Sequence, residues 1–535
     1  LVAFVYHSMP RNWWNRSLQV KSKPHSVHDL SNDYKSSINF GGLYPTYVED
    51  TLPADKYLHL SSEVFLRFAP LKFPIMHRCK VRTNYFCVPY RILMGDKNYQ
   101  KWHSKQVDIP DLILTLSSKD FDFKNTIFDY LGRDVGGLNA QLQSIVQGEP
   151  LEVNIGNPLD YLGYLETWRC WYADEQLDAD YINRIDGLLE TFQDAMSNGY
   201  SSFSTLFYGP ALLYLGGNGV LPVSYAKDYF TAAQPQPQRG GDVFLMDPLT
   251  LIASSQVSAT TYLRVESGSP VVAGFDANGN KLVQSYRTGD TIRDLWQKEQ
   301  FQRFEDLDAL FGTDNNEYLA GHWGVVSSDA RLQMPQFIGG GQQIVQIQEV
   351  TQTSADTEDS PLGALAGKGT SLGRTRGYRY FSEEHSFVYG FTSVVPDNGY
   401  MTGNPRYVYK KNILDFADPV FNNIGYQPVY KGEIFADGTS SEKEEFGYQP
   451  RHSEYRWHRS IATGDFRDAT LMAWHLNRSF DQVPPLNSEF IHVNLQDSAR
   501  IFNNTDPNAQ HIYLDVYNRV SLYRTVNYMP SSLHL

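Results

Sequence analysis

Hydrophobic and polar positions alternate with a period of two over several long stretches of the chain. In CKVRTNYFCVP, Cys79, Val81, Thr83, Tyr85 and Cys87 share one face, and Lys80, Arg82, Asn84, Phe86 and Val88 share the other. That is the pattern of a β-strand, and it is expected to end at Pro89, where the ladder loses a donor. YLHLSSEVFLRF (57–68) alternates in the same way. Strands return at YRYFSEEHSFVYGFTSVV (378–395), FGYQPRHSEYRWHRS (446–460) and AQHIYLDVYNRVSLYRTV (509–526). In the last of these, Ile512, Leu514, Val516, Val520, Leu522 and Val526 fall on one side. A helical period appears only in the middle of the chain. Tyr181, Ile182, Ile185, Leu188, Leu189, Phe192 and Met196 line one helix face. A second helix is predicted at TIRDLWQKEQFQRFEDLDALFG, capped by Asp290 or Thr291 and stopped by Gly312. Its apolar side is Ile292, Leu295, Trp296, Phe304, Leu307 and Phe311.

Strands at both ends with helices between them predict one β domain carrying large insertions, since the first and last strands must meet to complete a sheet. The organisation read from the pattern is an N-terminal arm over 1–27 and a single domain over 28–535. Within that domain, about 100–320 is partly helical, and 339–377, rich in Gly, Ser and Thr, is expected to be a flexible loop.

Composition sharpens this picture. The 535 residues include 35 Tyr and 30 Phe, residues that favour strands and bury large areas at interfaces. The net charge of −14 argues against a protein whose whole task is to grip nucleic acid. Such contact would be local, or delegated to a basic partner. Three cysteines are too few for a disulfide framework. Cys79 and Cys87 lie ~26 Å apart along a strand, too far for a disulfide or a shared zinc. No run of apolar residues is long enough for a membrane-spanning helix. LVAFVYH is too short for a signal-peptide core.

Candidate chemistry is sparse. PLGALAGKGTSLG (361–373) fails as a phosphate loop. Three residues separate Gly363 from Gly367 where four are needed, and Gly369 follows Lys368 where Ser or Thr should hold Mg²⁺. Glu383, Glu384 and His385 read as a solvated approach to a strand, although paired carboxylates of a hydrolase can be distant in sequence. His452, Glu454, Arg456 and His458 are expected on one exposed strand face, with the histidines ~20 Å apart and unable to share a metal. Basic and aromatic residues cluster at RTRGYRYF, PRYVYKKN and RHSEYRWHRS. There Arg374, Arg376, Arg379, Lys410, Lys411, Arg451, Arg456 and Arg459 suit contact with single-stranded bases and phosphates, or are ordinary snorkelling cations. Arg11, Trp13, Trp14 and Arg16 give the arm the same two readings: a tether on a neighbouring surface, or a nucleic-acid contact.

Read in order, these segments resemble the major capsid protein family of the Microviridae, the small single-stranded DNA phages with F-type capsid proteins. The gokushovirus-like VP1 branch is the most similar. In HDLSNDYKSSINFGGLYPTYVEDTLPADKY (28–57), Asp29, Leu30, Ser31, Phe40, Gly41, Pro45, Tyr47, Leu52, Pro53 and Asp55 are similar to the family's opening pattern. NYFCVPYRIL, YFTAAQPQPQRG (229–240), HWGVVSSDARLQMPQFIGGG (322–341), EEFGYQPRHSEYRW, ATGDFRDATLMAWHL and VSLYRTVNYMP follow in the family's order. The segment after Gly240 is short for the surface protrusion that many gokushovirus capsids carry.

The resemblance implies an eight-stranded antiparallel jelly roll with long, partly helical insertions. It implies a non-enzymatic capsid subunit that builds a T=1 icosahedral shell of sixty copies around circular single-stranded DNA. The implied partners are copies of itself, the packaged DNA, a small basic DNA-condensing virion protein, a scaffolding protein, a minor pilot protein and a host-cell receptor, with no membrane insertion. The implied location is the virion, assembled in the bacterial cytoplasm. No cofactor is implied, and a structural divalent cation stays open. Two alternatives from other classes stand beside this: a β-rich carbohydrate-binding protein or glycoside hydrolase, and a single-strand DNA-binding protein.

Overall fold

Two antiparallel sheets packed face to face form the centre of the chain. The computed structural model describes residues 26–116, 118–146, 149–204, 220–237, 262–265, 271–275, 281–286, 292–312, 315–325, 334–351, 365–423, 425–468, 470–504, 506 and 509–526. In chain order the strands are β1 (Ser26–Asp29), β2 (Asn32–Ile38), β3 (Tyr44–Thr51), β4 (Lys56–Phe68) and β5 (Cys79–Pro89). The insertion contributes β6 (Asp111–Leu116), β7 (Leu151–Gly156) and β8 (Ser202–Ser204) as one small sheet. Another small sheet is formed by β9 (Tyr262–Val265), β10 (Val271–Phe275) and β11 (Lys281–Tyr286). The chain then returns through β12 (Gln336–Ile344), β13 (Gln346–Thr351), β14 (Leu365–Arg374), β15 (Tyr378–Phe381) and β16 (Ser386–Pro396). A hairpin, β17 (Tyr426–Tyr430) and β18 (Glu445–Pro450), and the long β19 (Ile512–Arg524) complete it.

The first sheet has seven strands, running β2–β19–β4–β14–β13, with β1 also on β19 and β15 also on β4. The second has four, β12–β5–β16–β3. The path β2, β3, β4, β5, β12, β14, β16, β19 therefore distributes itself over the two sheets in jelly-roll order, and β1, β13 and β15 are additions to the first sheet. As the pattern predicted, the ends of the chain meet: β1 and β2 both pair with β19.

Strand alternation explains which faces are inside. On β5 the odd-numbered set from Cys79 to Cys87 is buried, and on β19 the buried set is Ile512, Leu514, Val516, Val520 and Leu522. Asn518 occupies the same inward row and is equally buried. It belongs to a polar waist between the sheets. Tyr85 Oη donates to Ser62 Oγ at 2.6 Å, and Ser62 Oγ donates to Asn518 Oδ1 at 2.6 Å. Asn518 Nδ2 then donates to the Thr46 carbonyl at 2.9 Å. Apolar clusters lie on both sides of this waist, a large one that includes Val64, Leu66, Val81 and Val516 and a smaller one of Tyr47, Tyr57, Leu60, Cys87, Val388 and Leu522.

The outer face of the second sheet is covered by helix Leu159–Trp171. Phe86 packs against Trp171 and Tyr172, and Tyr389 Oη donates to the Asp160 carbonyl at 2.7 Å. Helix Ala179–Asn198 lies beyond, burying Ile185, Leu188, Leu189, Phe192 and Met196 as its period predicted. Gly199 ends it in the left-handed conformation, φ 70°.

Several expectations are corrected. Residues 339–377 are not one flexible loop: within them β12, β13 and β14 are paired strands and β14 continues the first sheet. Their glycines are there for close approach. A Cβ on Gly339 would lie 2.2 Å from Tyr378 Cε1, and one on Gly369 would lie 2.4 Å from Phe68 Cδ2. The strand predicted through 446–460 stops at Pro450, because His452 takes a left-handed backbone (φ 62°) and Ser453–Tyr455 turn as a 3₁₀ helix. His452, Glu454, Arg456 and His458 therefore do not share a strand face. The run at 378–395 is two strands in different sheets, β15 and β16. The arm boundary also moves, since Ser26 and Val27 already pair with β19. The second predicted helix runs Ile292–Phe311 and stops at Gly312, while its cap residues Asp290 and Thr291 lie outside the described residues.

Candidate assembly and nucleic-acid surfaces

The candidate cations divide into two groups on different parts of the fold. Arg374, Arg376 and Arg379 lie at and beyond the end of β14 and on β15, beside β4. All three are exposed, and Arg374 pairs with Glu63 at 3.4 Å. Arg11, Trp13, Trp14 and Arg16 lie outside the described residues.

The other group sits in a lobe built on the β17–β18 hairpin, around a separate apolar cluster that includes Phe230, Tyr400, Val429, Ile434 and Phe490. Cations hold this lobe together from within. Arg406 lies over the Tyr430 ring at 4.3 Å and meets the buried Glu433 at 2.6 Å. Burial raises the Glu433 carboxyl above its ordinary range, and the Arg406 charge opposes that rise. Arg459 donates to the carbonyls of Glu433 and Gly403, both at 2.9 Å. Lys410 meets Glu454 at 2.6 Å and lies 4.2 Å over the Tyr455 ring. Arg451 donates to the Leu414 carbonyl. Lys410, Arg451 and Arg459 thus each have a partner within the lobe. A desolvated ion pair of this kind gives up its partner only at a cost. Lys411 and Arg456 stay exposed.

The lobe also shows a patch that is apolar on the outside. Tyr407, Val408, Ile413, Leu414, Phe416, Val420, Tyr455 and Trp457 are all exposed. Lys410 lies near the rings of Phe416 and Tyr455, at 5.7 and 4.2 Å, and so brings these two together.

Glu384 and His385 are structural too. Glu384 accepts two bonds from Arg91 at 3.0 Å, and the His385 ring stacks on Tyr90. One constellation is invisible in sequence. Asp178, at the cap of helix Ala179–Asn198, accepts from Ser488 Oγ at 2.5 Å and lies 2.9 Å from His492 Nε2, while Ser224 Oγ is 3.3 Å from His492 Nδ1. The residue types are those of a hydrolase triad, but the arrangement is a fastening. The Asp178 carboxylate is fully buried and also accepts the Asp174 N–H at 2.8 Å, so it ties the helix to the lobe.

These features describe a β-sandwich with a lobe fastened by internal cations, and with further cations and large apolar side chains left exposed. Residues 18–532 match the family described as "Capsid protein (F protein)". The chain belongs to this family of phage capsid proteins. Among known relatives of this capsid protein, "Capsid protein VP1" of Bdellovibrio phage phiMH2K is 28% identical over 499 residues, covering 86% of each chain. "Capsid protein VP1" of Chlamydia phage 1 is 27% identical over 555 residues, covering 88% of this chain and 89% of the relative. That of Spiroplasma virus 4 is 26% identical over 524 residues, covering 88% and 87%. A capsid subunit is a structural protein, and its surface patches are the parts that carry its function. Among the described residues no helix is long and apolar enough to cross a membrane.

Proposed function

We propose that this capsid protein closes into a T=1 icosahedral shell of sixty copies around a circular single-stranded DNA genome. The observation that carries this reading is the family match over residues 18–532, which spans the sandwich and its insertions together. The exposed lobe patch around Ile413, Phe416 and Val420 supports it, since apolar patches of this kind mark contact surfaces. In a closed shell such a patch meets a different patch on a neighbouring copy, a heterologous contact that closes around a symmetry axis. Trp296, Phe301 and Trp323, exposed on the helices at 292–323, offer a second surface of the same type.

The net charge of −14 would repel packaged DNA, so a small basic virion protein is expected to neutralise what the shell cannot. A scaffolding protein, a pilot protein, a receptor and assembly in the host cytoplasm complete the reading. The test is size-exclusion chromatography with negative-stain electron microscopy of the purified chain, alone and with single-stranded DNA. Megadalton isometric particles or their ring-shaped intermediates are expected. A chain that stayed monomeric under all assembly conditions and cleaved a glycoside substrate would overturn it.

A further inference from the structure

The outward face of the first sheet does not look like a face made for water. An antiparallel sheet with one side on a core normally alternates apolar-in and polar-out. Here the outward positions carry Phe65 on β4, Leu372 on β14, and Tyr513 and Tyr517 on β19, exposed by 43%, 77%, 50% and 41%. The register places them together. Tyr513 stands opposite Arg67, Phe65 stands opposite both Asp515 and Leu372, and Glu63 stands opposite both Tyr517 and Arg374. Phe65 therefore sits diagonally between the two tyrosines, at the ~7–8 Å separation of diagonal neighbours.

Charge on this face runs against the charge of the chain. Lys35, Lys56, Arg67, Lys368, Arg374, Arg379 and Arg519 are exposed on it and outnumber Asp29, Asp33, Glu63 and Asp515. Lys35 pairs with Asp515 at 3.5 Å and Arg374 with Glu63 at 3.4 Å. Arg67 and Arg519 make no ion pair within 4.0 Å among the described residues, although the Arg519 charge acts on Asp29. The two sheets also differ in what covers them. Helix Leu159–Trp171 lies on the outer face of the second, while the rings on the first stay open.

We propose that this face is a stacking platform for single-stranded nucleic acid. Phe65, Tyr513 and Tyr517 receive bases, and Arg67, Arg374 and Arg519 neutralise the phosphates between them. Every base has a π-face, so such a surface holds a strand without reading its sequence, at ~1–3 kcal/mol per stacked base. A second copy of the chain is the competing occupant, since rings and guanidinium groups also serve protein–protein contacts. The exposed Lys35 and Lys368 favour the nucleic acid, because lysine is depleted at such contacts and phosphates need cations. The proposal rests on the reading that the shell encloses single-stranded DNA, and the two can fail separately.

The experiment measures anisotropy of a dye-labelled oligothymidylate with the full-length unassembled subunit, and examines assembled particles by electron microscopy. Removing rings in the F65A/Y513A/Y517A variant should weaken binding by roughly 5- to 100-fold for each base that no longer has a ring to stack on. Y513F/Y517F, which keeps the rings, should bind as the parent does. In R67Q/R519Q, the slope of log affinity against log salt should fall by ~0.7 for each phosphate left without its cation. Unchanged affinity in F65A/Y513A/Y517A overturns the platform. So does a variant that binds DNA normally but no longer forms particles, because the face would then be a contact between copies. If the parent binds the oligonucleotide as described yet never forms particles, the shell reading falls and the platform stands.

Discussion

The most exacting positions in this protein are polar side chains buried between the sheets. Asn518 interrupts the apolar row of β19 between Val516 and Val520, yet it is 1% exposed. Its oxygen accepts from Ser62 and its amide donates to the Thr46 carbonyl. Asn518→Leu would leave both partners buried without their bond, at about 1–3 kcal/mol for each stranded group. Tyr85→Phe removes a hydroxyl that donates to Ser62 and lies 3.1 Å from Thr375 Oγ1, but both partners keep other hydrogen bonds, so its cost should be about 1 kcal/mol. Urea unfolding of the isolated subunit should rank Asn518→Leu well below Tyr85→Phe, and equal midpoints would contradict the waist as described. Asp178 poses a pH question. Burial pushes its carboxyl up, but the hydrogen bond and charge of His492, with the Asp174 N–H and Ser488, outweigh burial and hold it below the ordinary range. A lowered folded-state value means stability that is complete above the unfolded pKa of ~3.9 and lost as pH falls through the folded value. The stability gap between the parent and Asp178→Asn should therefore be widest near neutrality and shrink in acid. A gap that did not change with pH would show that the carboxylate charge is not what fastens the helix. Neither feature was legible beforehand. Asn518 sat inside a strand whose neighbours carried the signal, and Asp178 and His492 lie 314 residues apart.

At the scale of elements, alternation and helical period located what they govern, and glycine misled. β5, β19 and helix Ala179–Asn198 appear where periods of two and 3.6 placed them. The glycines of β12 and β14 read as loop because a residue without a side chain gives no periodicity. In the fold they are the positions where a ring or a neighbouring backbone comes too close for a Cβ. Gly339 lies under the Tyr378 ring, whose hydroxyl reaches the next carbonyl, that of Gly340, at 2.5 Å. Gly339→Ala should cost about 1–3 kcal/mol by overpacking and loosen β12, the edge strand of the second sheet. Hydrogen exchange should quicken for the β12 amides paired with β5 while β19 keeps its protection. Adding Tyr378→Ala to Gly339→Ala should return part of that stability, because the clash goes with the ring. The strand predicted beyond Pro450 failed for a different reason. Alternation persists through RHSEYRWH, but a left-handed His452 ends the extended backbone, and nothing in the spacing signals that turn.

For the whole molecule, a single subunit is an incomplete object. The helix at Ile292–Phe311 has the predicted bounds, but Trp296, Phe304 and Phe311 of its apolar side face outward. Amphipathicity reports that a face wants cover and is silent about whether the cover comes from the same chain. The lobe makes the same point more strongly: Ile413 and Val420 are 76% and 78% exposed on the segment that also carries the exposed Phe416. Neither side chain contributes to the core, so Ile413→Asp with Val420→Asp should leave the folded subunit nearly as stable as the parent. Between copies the result should differ. A carboxylate placed in an apolar contact must be desolvated without a partner, several kcal/mol at each site. In a closed shell that penalty recurs at every symmetry-related interface, and each copy depends on several neighbours at once, so a modest weakening of one interface is multiplied over the particle. Circular dichroism and thermal unfolding of the double variant should match the parent, while particles disappear from electron micrographs at concentrations where the parent assembles. If the double variant assembled normally, the lobe would lie on the free surface of the particle, and the interfaces that close the shell would have to be sought on the other exposed aromatic surface, at Trp296, Phe301 and Trp323.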